Sequence, residues 1–175
     1  MRRIVYIDIE STGLDVDLHQ VWEIAYAVGD GEVRSCLIPH TLENADPKAL
    51  VIGRYSERWN YKTAQAFSAG FLSDLVDALD GSTLAGANPR FDAAFLKKLL
   101  GREVWHYRLL DVPTYAMAAI NADTPLGLLQ TCESLGTNAR PDHSAAADVE
   151  ATRAAHLAAQ DVYDGWRPAS EKWLT

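Results

Sequence analysis

Residues 3–9, Arg-Ile-Val-Tyr-Ile-Asp-Ile, form a short, β-branched, mostly apolar run, which predicts a strand buried on both faces. Residues 21–28 and 32–38 have the same character and are joined by Gly29-Asp30-Gly31, a hairpin signal. The first three strands are therefore expected as an antiparallel meander. The apolar spacing then lengthens. Phe67, Phe71, Leu72, Leu75, Val76 and Leu79 fall on one stripe of an amphipathic helix, and Gly81 suits its end. A short strand at about 83–87 leads to a helix at about 90–100, closed by Gly101. A strand at about 107–110 ends at Asp111, placed to cap the next helix. Pro125 suits the first turn of a helix running to Leu135, with Gly136 after it. The Ala-rich segment 144–160 has the strongest intrinsic helix propensity in the chain. The order βββ, α, β, α, β, α, α predicts an α/β fold: a central mixed sheet, antiparallel in its first three strands, flanked by helices.

Composition narrows this picture. The 175 residues favour a single domain over 1–175, and the hydrophobic fraction of 48% is ordinary for a globular protein. No apolar run approaches the ~18 residues of a membrane span. The opening Met-Arg-Arg-Ile-Val-Tyr-Ile-Asp does not read as a signal peptide, because a carboxylate interrupts it; the expectation is an unexported, cytoplasmic protein. Cys36 and Cys132 lack C-x-x-C spacing and read as small hydrophobes. The net charge of −8, from 16 basic and 24 acidic residues, argues against gripping long nucleic acids by phosphate neutralisation. It is compatible with an enzyme that offers bound cations to a few nucleotides, since two divalent ions would halve that charge and place positive charge where a phosphate sits.

Three patterns carry chemistry. Asp8 and Glu10 are two apart at the end of the first strand and so share a face; held together they repel unless a cation compensates, and magnesium or manganese prefer such oxygen ligands. Asp92, in Gly86-Ala87-Asn88-Pro89-Arg90-Phe91-Asp92, begins a helix after a strand, where ligands of open α/β sheets usually bind. His143 precedes a helix that Ser144 can cap, with Asp148 in its first turn. On a continuous helix these two would point about 140° apart, so they converge only if His143 lies on the entry loop. There a histidine is a natural general base. Each pattern also fits a second reading: a strand end emerging into water, a first-turn charge favoured by the helix dipole, a surface histidine.

Together the patterns resemble the DnaQ-like exonucleases, the DEDDh branch of the ribonuclease H-like superfamily. Ile7-Asp8-Ile9-Glu10-Ser11-Thr12-Gly13-Leu14 is similar to the family's first motif, Asn88-Pro89-Arg90-Phe91-Asp92 to its second, and His143-Ser144-Ala145-Ala146-Ala147-Asp148 to its third. Val21–Val28 also resembles the family's second strand, and Leu110-Asp111-Val112 its fifth and the turn after it. The match spans residues 4–155, leaving a tail at 161–175. The resemblance implies a metal-dependent 3′→5′ exonuclease releasing nucleoside 5′-monophosphates. Asp8, Glu10, Asp92 and Asp148 would hold two magnesium or manganese ions, and His143 would take a proton from the attacking water. Thr12, Leu14, Asn88 and Phe91 match positions that contact the terminal nucleotide. The implied partner is the 3′ end of a single strand, DNA being favoured over the alternative of RNA or short oligoribonucleotides. DNA repair is one role, and proofreading would require a separate polymerase.

Two features depart from the family pattern. Ala87 stands where many relatives carry histidine. Segment 53–63 mixes Tyr55, Trp59 and Tyr61 with Arg54, Arg58 and Lys62, which suits either a stacking and phosphate-contact surface or a loop packed on the body with its basic residues in water. Trp166 and Trp173 are expected to pack on the body. Rival classes fit less well. A Rossmann-type cofactor enzyme needs G-x-G-x-x-G after the first strand, and a P-loop enzyme needs G-x-x-x-x-G-K-[ST]; neither occurs. A non-catalytic nucleic-acid-binding module on the same fold would be expected to have lost a ligand, and all five positions are present.

Overall fold

The computed structural model describes residues 2–60 and 69–166. Five strands, β1 (Ile4–Ser11), β2 (Val21–Val28), β3 (Arg34–Leu37), β4 (Thr83–Gly86) and β5 (Leu110–Asp111), form one mixed sheet in the order β3-β2-β1-β4-β5. The β1–β2 and β2–β3 pairs are antiparallel, giving the expected meander, and β1–β4 and β4–β5 are parallel. The helices among the described residues are α1 (Pro47–Ile52), α2 (Tyr55–Arg58), α3 (Ala69–Leu79), α4 (Pro89–Leu100), α5 (Val112–Ala116), α6 (Leu128–Ser134) and α7 (Ala145–Trp166). None is long and apolar enough to cross a membrane.

The alternation of β1 divides the core. Val5, Ile7 and Ile9 join Leu75 and Leu79 of α3, Leu84 of β4 and Phe95 and Leu96 of α4. Each fully buried aliphatic or aromatic side chain of this kind contributes about 1.5–3 kcal/mol. Tyr6 faces the other way, with Ala25, Ala27 and Ala85, beneath Ala145 and Val149 of α7. These small side chains let the Ala-rich α7 lie close to the sheet. The Tyr6 hydroxyl and His156 Nδ1 are 2.6 Å apart beneath it. Period-two alternation puts Asp8 and Glu10 on this same α7 face.

Several boundaries differ from expectation. The fifth strand is two residues long, because the chain before it is spent on a local turn in which Arg108 N–H donates to His106 Nδ1 (3.2 Å). Asp111 occupies the N-cap position of α5 without capping it; its carboxylate instead accepts the Asn88 N–H (2.9 Å) and the Thr114 hydroxyl. The helix expected from Pro125 begins at Leu128, where Gly127 N–H reaches Gln130 Oε1 (3.4 Å) and Thr131 donates its hydroxyl to Gly127 O (3.0 Å). Helix α7 runs past 160 to Trp166, which is 61% exposed and meets Tyr163 edge-on rather than packing on the body. Phe67, Tyr61, Lys62 and Trp173 lie outside the described residues. Cys36 and Cys132 are unpaired; Cys132 is buried and Cys36 half-buried.

Candidate active site

The site begins where the sheet narrows. Strand β4 pairs with β1 only over Ile4–Tyr6, then leaves it after Gly86. The chain reverses through Asn88, which holds a left-handed conformation (φ 62°, ψ 54°) at the N-cap of α4. Its backbone is tethered by Asp111. Pro89 fixes the first helical position, and Asp92 then falls in the first turn, 2% exposed. Asp92 Oδ1 accepts the Ile9 N–H (3.0 Å), so a carboxylate takes the backbone donor that no strand reaches. The bond places Asp92 on the backbone midway between Asp8 and Glu10.

Asp148, in the first turn of α7, completes the group. Its Oδ1 accepts the N–H groups of Asp142 (3.1 Å) and His143 (3.2 Å). His143 is left-handed (φ 61°), exposed, and lies in the entry loop as the Ser144 cap requires; the Ser144 hydroxyl accepts the Ala147 N–H (3.2 Å). The bend turns the histidine back toward Asp148 instead of around the helix.

Burial and mutual repulsion dominate the electrostatics. Asp8 is pushed well above the usual carboxylate range by burial first, then by the charges of Asp92, Asp148, Glu10 and Glu23. Burial raises Glu10 to about 8, against the pull of the Arg58 guanidinium and with added repulsion from Asp148, Glu23 and Asp92. Asp92 rises to about 7, again chiefly through burial, although the Ile9 N–H favours its ionised form. Asp148 is raised by burial, opposed by its two backbone donors and by His143. All four carboxylates thus resist ionisation together, which is the condition a divalent cation relieves. Among the described residues no three His, Cys, Asp or Glu side chains stand at ligating separation. The donor set nonetheless fits a hard cation: it is all oxygen, anionic when ionised, and gathered at one strand end.

The four expected nucleotide-contact residues are placed unequally. Leu14 is 78% exposed beside this strand end. Asn88 is exposed at the helix turn, and Phe91 is half-buried against Phe95, with ring centroids 4.9 Å apart. Thr12 is 2% exposed; its hydroxyl accepts the Gln20 N–H (3.0 Å) and its carbonyl the Asp46 N–H (2.7 Å), closing the loop after β1. The Cβ side of Gly13 is filled by His19, whose ring would sit 2.4 Å from a Cβ there.

Glu23, with no role expected from the sequence, and Arg58, expected only as a phosphate contact or a cation in water, stand at the centre. Glu23 of β2 pairs directly opposite Glu10 and is 8% exposed. Arg58 ends α2, bonds Glu23, and lies over the Trp22 ring (4.9 Å). Tyr55 and Trp59 stack on each other (5.6 Å, 12°), and Tyr55 meets Trp22 edge-on. The described part of segment 53–63 is therefore packed on the body, but Arg58 is turned inward rather than into water. A lone glutamate in the otherwise apolar Val-Trp-Glu-Ile-Ala-Tyr-Ala-Val was the available signal, since a buried charge requires a partner.

No family model matches the chain. An oligoribonuclease of Xanthomonas euvesicatoria pv. vesicatoria is 32% identical, the alignment covering 64% of this chain and 67% of that protein. Among solved structures, E. coli exonuclease I in complex with a dT13 oligonucleotide superposes with a TM-score of 0.67 at 19% identity. It covers 94% of this chain but 43% of its own, so the chain spans less than half the length of exonuclease I. S. pombe Pop2p, in an Mg2+- and Mn2+-bound form, gives a TM-score of 0.64 at 15% identity, covering 98% of this chain and 84% of that one. The fold is ribonuclease H-like. The chain belongs to the DnaQ-like family of 3′→5′ exonucleases, hydrolases of that superfamily.

Proposed function

We infer that this chain is a divalent-metal-dependent 3′→5′ exonuclease that shortens small single-stranded RNAs. The observation that carries the chemistry is the gathering of Asp8, Glu10, Asp92 and Asp148 at one end of β1, each raised by burial and three of them by one another's charge. In this reading those four hold two magnesium or manganese ions, which when bound activate water and neutralise charge on the phosphodiester. His143, exposed on its bent loop, accepts the proton of the attacking water at an imidazole nitrogen. Asp148 keeps that loop in place through its two backbone hydrogen bonds. Leu14 packs on the terminal base or sugar, with Phe91 and Asn88 shaping the other side of the pocket. Thr12 supports the Leu14 loop from beneath.

The expectation from the sequence favoured DNA. Relatives at 31–32% identity are named oligoribonucleases, which supports short RNA as the substrate, whereas the DNA-bound exonuclease I shares only the fold at 19% identity. Product analysis with magnesium on 5′-labelled single-stranded RNA, single-stranded DNA and duplexes tests both parts. Stepwise release of nucleoside 5′-monophosphates from the 3′ end, fastest on short RNA, is expected. Faster cleavage of DNA would return the substrate to the earlier expectation. Cleavage that persists in chelator, or that starts at the 5′ end, would overturn the mechanism.

A further inference from the structure

The register of β1 on β2 sets Glu10 directly against Glu23, two like charges on one face, an arrangement that is destabilising without a counter-charge. Arg58 supplies it. One terminal nitrogen of its guanidinium bonds Glu23; the other donates to Gly53 O (2.9 Å) and to the backbone carbonyl of His143. Its side chain is 16% exposed and that of Glu23 is 11% exposed. Both terminal nitrogens are committed, so Arg58 is not a cation waiting for phosphate. Glu23 reaches the same loop from the other side, accepting the Ala145 N–H (3.1 Å). Arg54 adds a looser contact to Asp142 (3.7 Å).

The consequence falls on His143. Its left-handed backbone (φ 61°) crowds the Cβ of any residue but glycine, so the bend must be held. Asp148 holds its N–H, Arg58 its carbonyl, and Glu23 the N–H two residues on. Asp148 belongs to the carboxylate group, but Arg58 and Glu23 do not. They tie the end of α2 and strand β2 to the loop before α7, Arg58 reaching a carbonyl 85 residues away.

We propose that Arg58, anchored by Glu23, is a positioning residue for the reaction: it fixes the His143 peptide so that the imidazole meets the attacking water. This rests on the assignment of His143 as the proton acceptor. Arg58 acts through His143 and touches no substrate.

The test is a double-mutant cycle on the full chain, with 5′-labelled oligoribonucleotide and magnesium as the probe. Arg58→Met should lower kcat by roughly tenfold to a hundredfold, as expected for a slightly misplaced catalytic group, with KM changed less than about threefold. Arg58→Lys should recover part of that loss. In a His143→Ala background the same Arg58→Met change should have almost no further effect. A rise in KM at unchanged kcat would make Arg58 a phosphate contact and overturn the proposal. So would an undiminished loss in the His143→Ala background. If His143→Ala alone is harmless, the assignment of His143 fails instead, a separate outcome. Should Arg58→Met not fold, Glu23→Gln carries the same cycle: its amide oxygen can still accept from Ala145 while the anchor for Arg58 loses its charge.

Discussion

Along β1, Val5 and Tyr6 have β2 on one side and β4 on the other, while Ile7 to Ser11 have only β2. The first half is held by backbone ladders and apolar packing. In the second half a side chain, Asp92, stands where a strand would be, and alternate residues on the α7 face become carboxylates. The same strand thus changes from a stabilising element to a repulsive one within a few residues. The site is cut into the edge of the core, and the core beneath it supplies the rigidity that the charges oppose.

This contrast is broken most severely at Asp8. Asp8→Asn should reduce hydrolysis to background, measured on labelled oligonucleotide, while the melting temperature in divalent-free buffer stays level or rises because one repelling charge is gone. His143→Ala should cost about 10²- to 10⁴-fold in kcat and leave magnesium binding, followed by calorimetry, intact. Full activity in purified Asp8→Asn would falsify the assignment of the site.

On the face of the strand turned away from α7 the effects exchange places. Ile7, with no exposed surface, should cost about 2–5 kcal/mol on Ile7→Ala by denaturant unfolding, and its activity per folded molecule should be nearly preserved. A large loss of kcat without loss of stability there would erase the distinction.

A smaller effect sharpens the comparison through pH. Glu10 and Asp92 are pushed up to about 8 and about 7. The folded protein therefore holds these protons more tightly than the unfolded chain. The stability they contribute is present in full below the ordinary carboxylate range and is lost as pH rises through the folded values. In chelator, the melting temperature should fall from about pH 5 to about pH 9, and either magnesium or Glu10→Gln should flatten the slope. A melting temperature that rises over this interval would contradict the repulsion argued for the upper half.

The least effect is expected at Gly53. A Cβ there would lie 2.9 Å from Glu10 Oε2 and 3.0 Å from the Trp22 ring. Gly53→Ala should shift the Glu10 carboxylate and lower kcat roughly tenfold, with little change in melting temperature. Unchanged kcat would mean that this close approach is packing alone.

The sequence exposed those parts of the molecule whose physics is local. β1 and β2 were readable because buried apolar runs bounded by turns have few other solutions, and the Ser144 cap showed that His143 must leave the helix axis. Helices α1 and α2 were not readable. They are six and four residues long, contain no buried residue, and α1 exposes Val51 and Ile52, so no amphipathic stripe marks them. Pro125 looked like a helix start because Pro favours that position, but a Gly127–Gln130 contact set the boundary. Glu23 and Arg58 were individually visible, yet their pairing depends on the Glu10–Glu23 register and on a bond across 35 residues. No window of sequence contains that information.

Helix α7, which roofs the sheet with its small residues, also delivers the last carboxylate, and this gives the chain an order of completion. During synthesis the strand bearing Asp8 and Glu10 emerges early, and Asp92 follows with α4. Until residue 148 has cleared the ribosome, the emerging polypeptide has neither its fourth carboxylate nor the hydrogen bonds that bend His143. On the proposed function a nascent chain is therefore inert beside the messenger being translated until α7 has emerged and docked on the sheet.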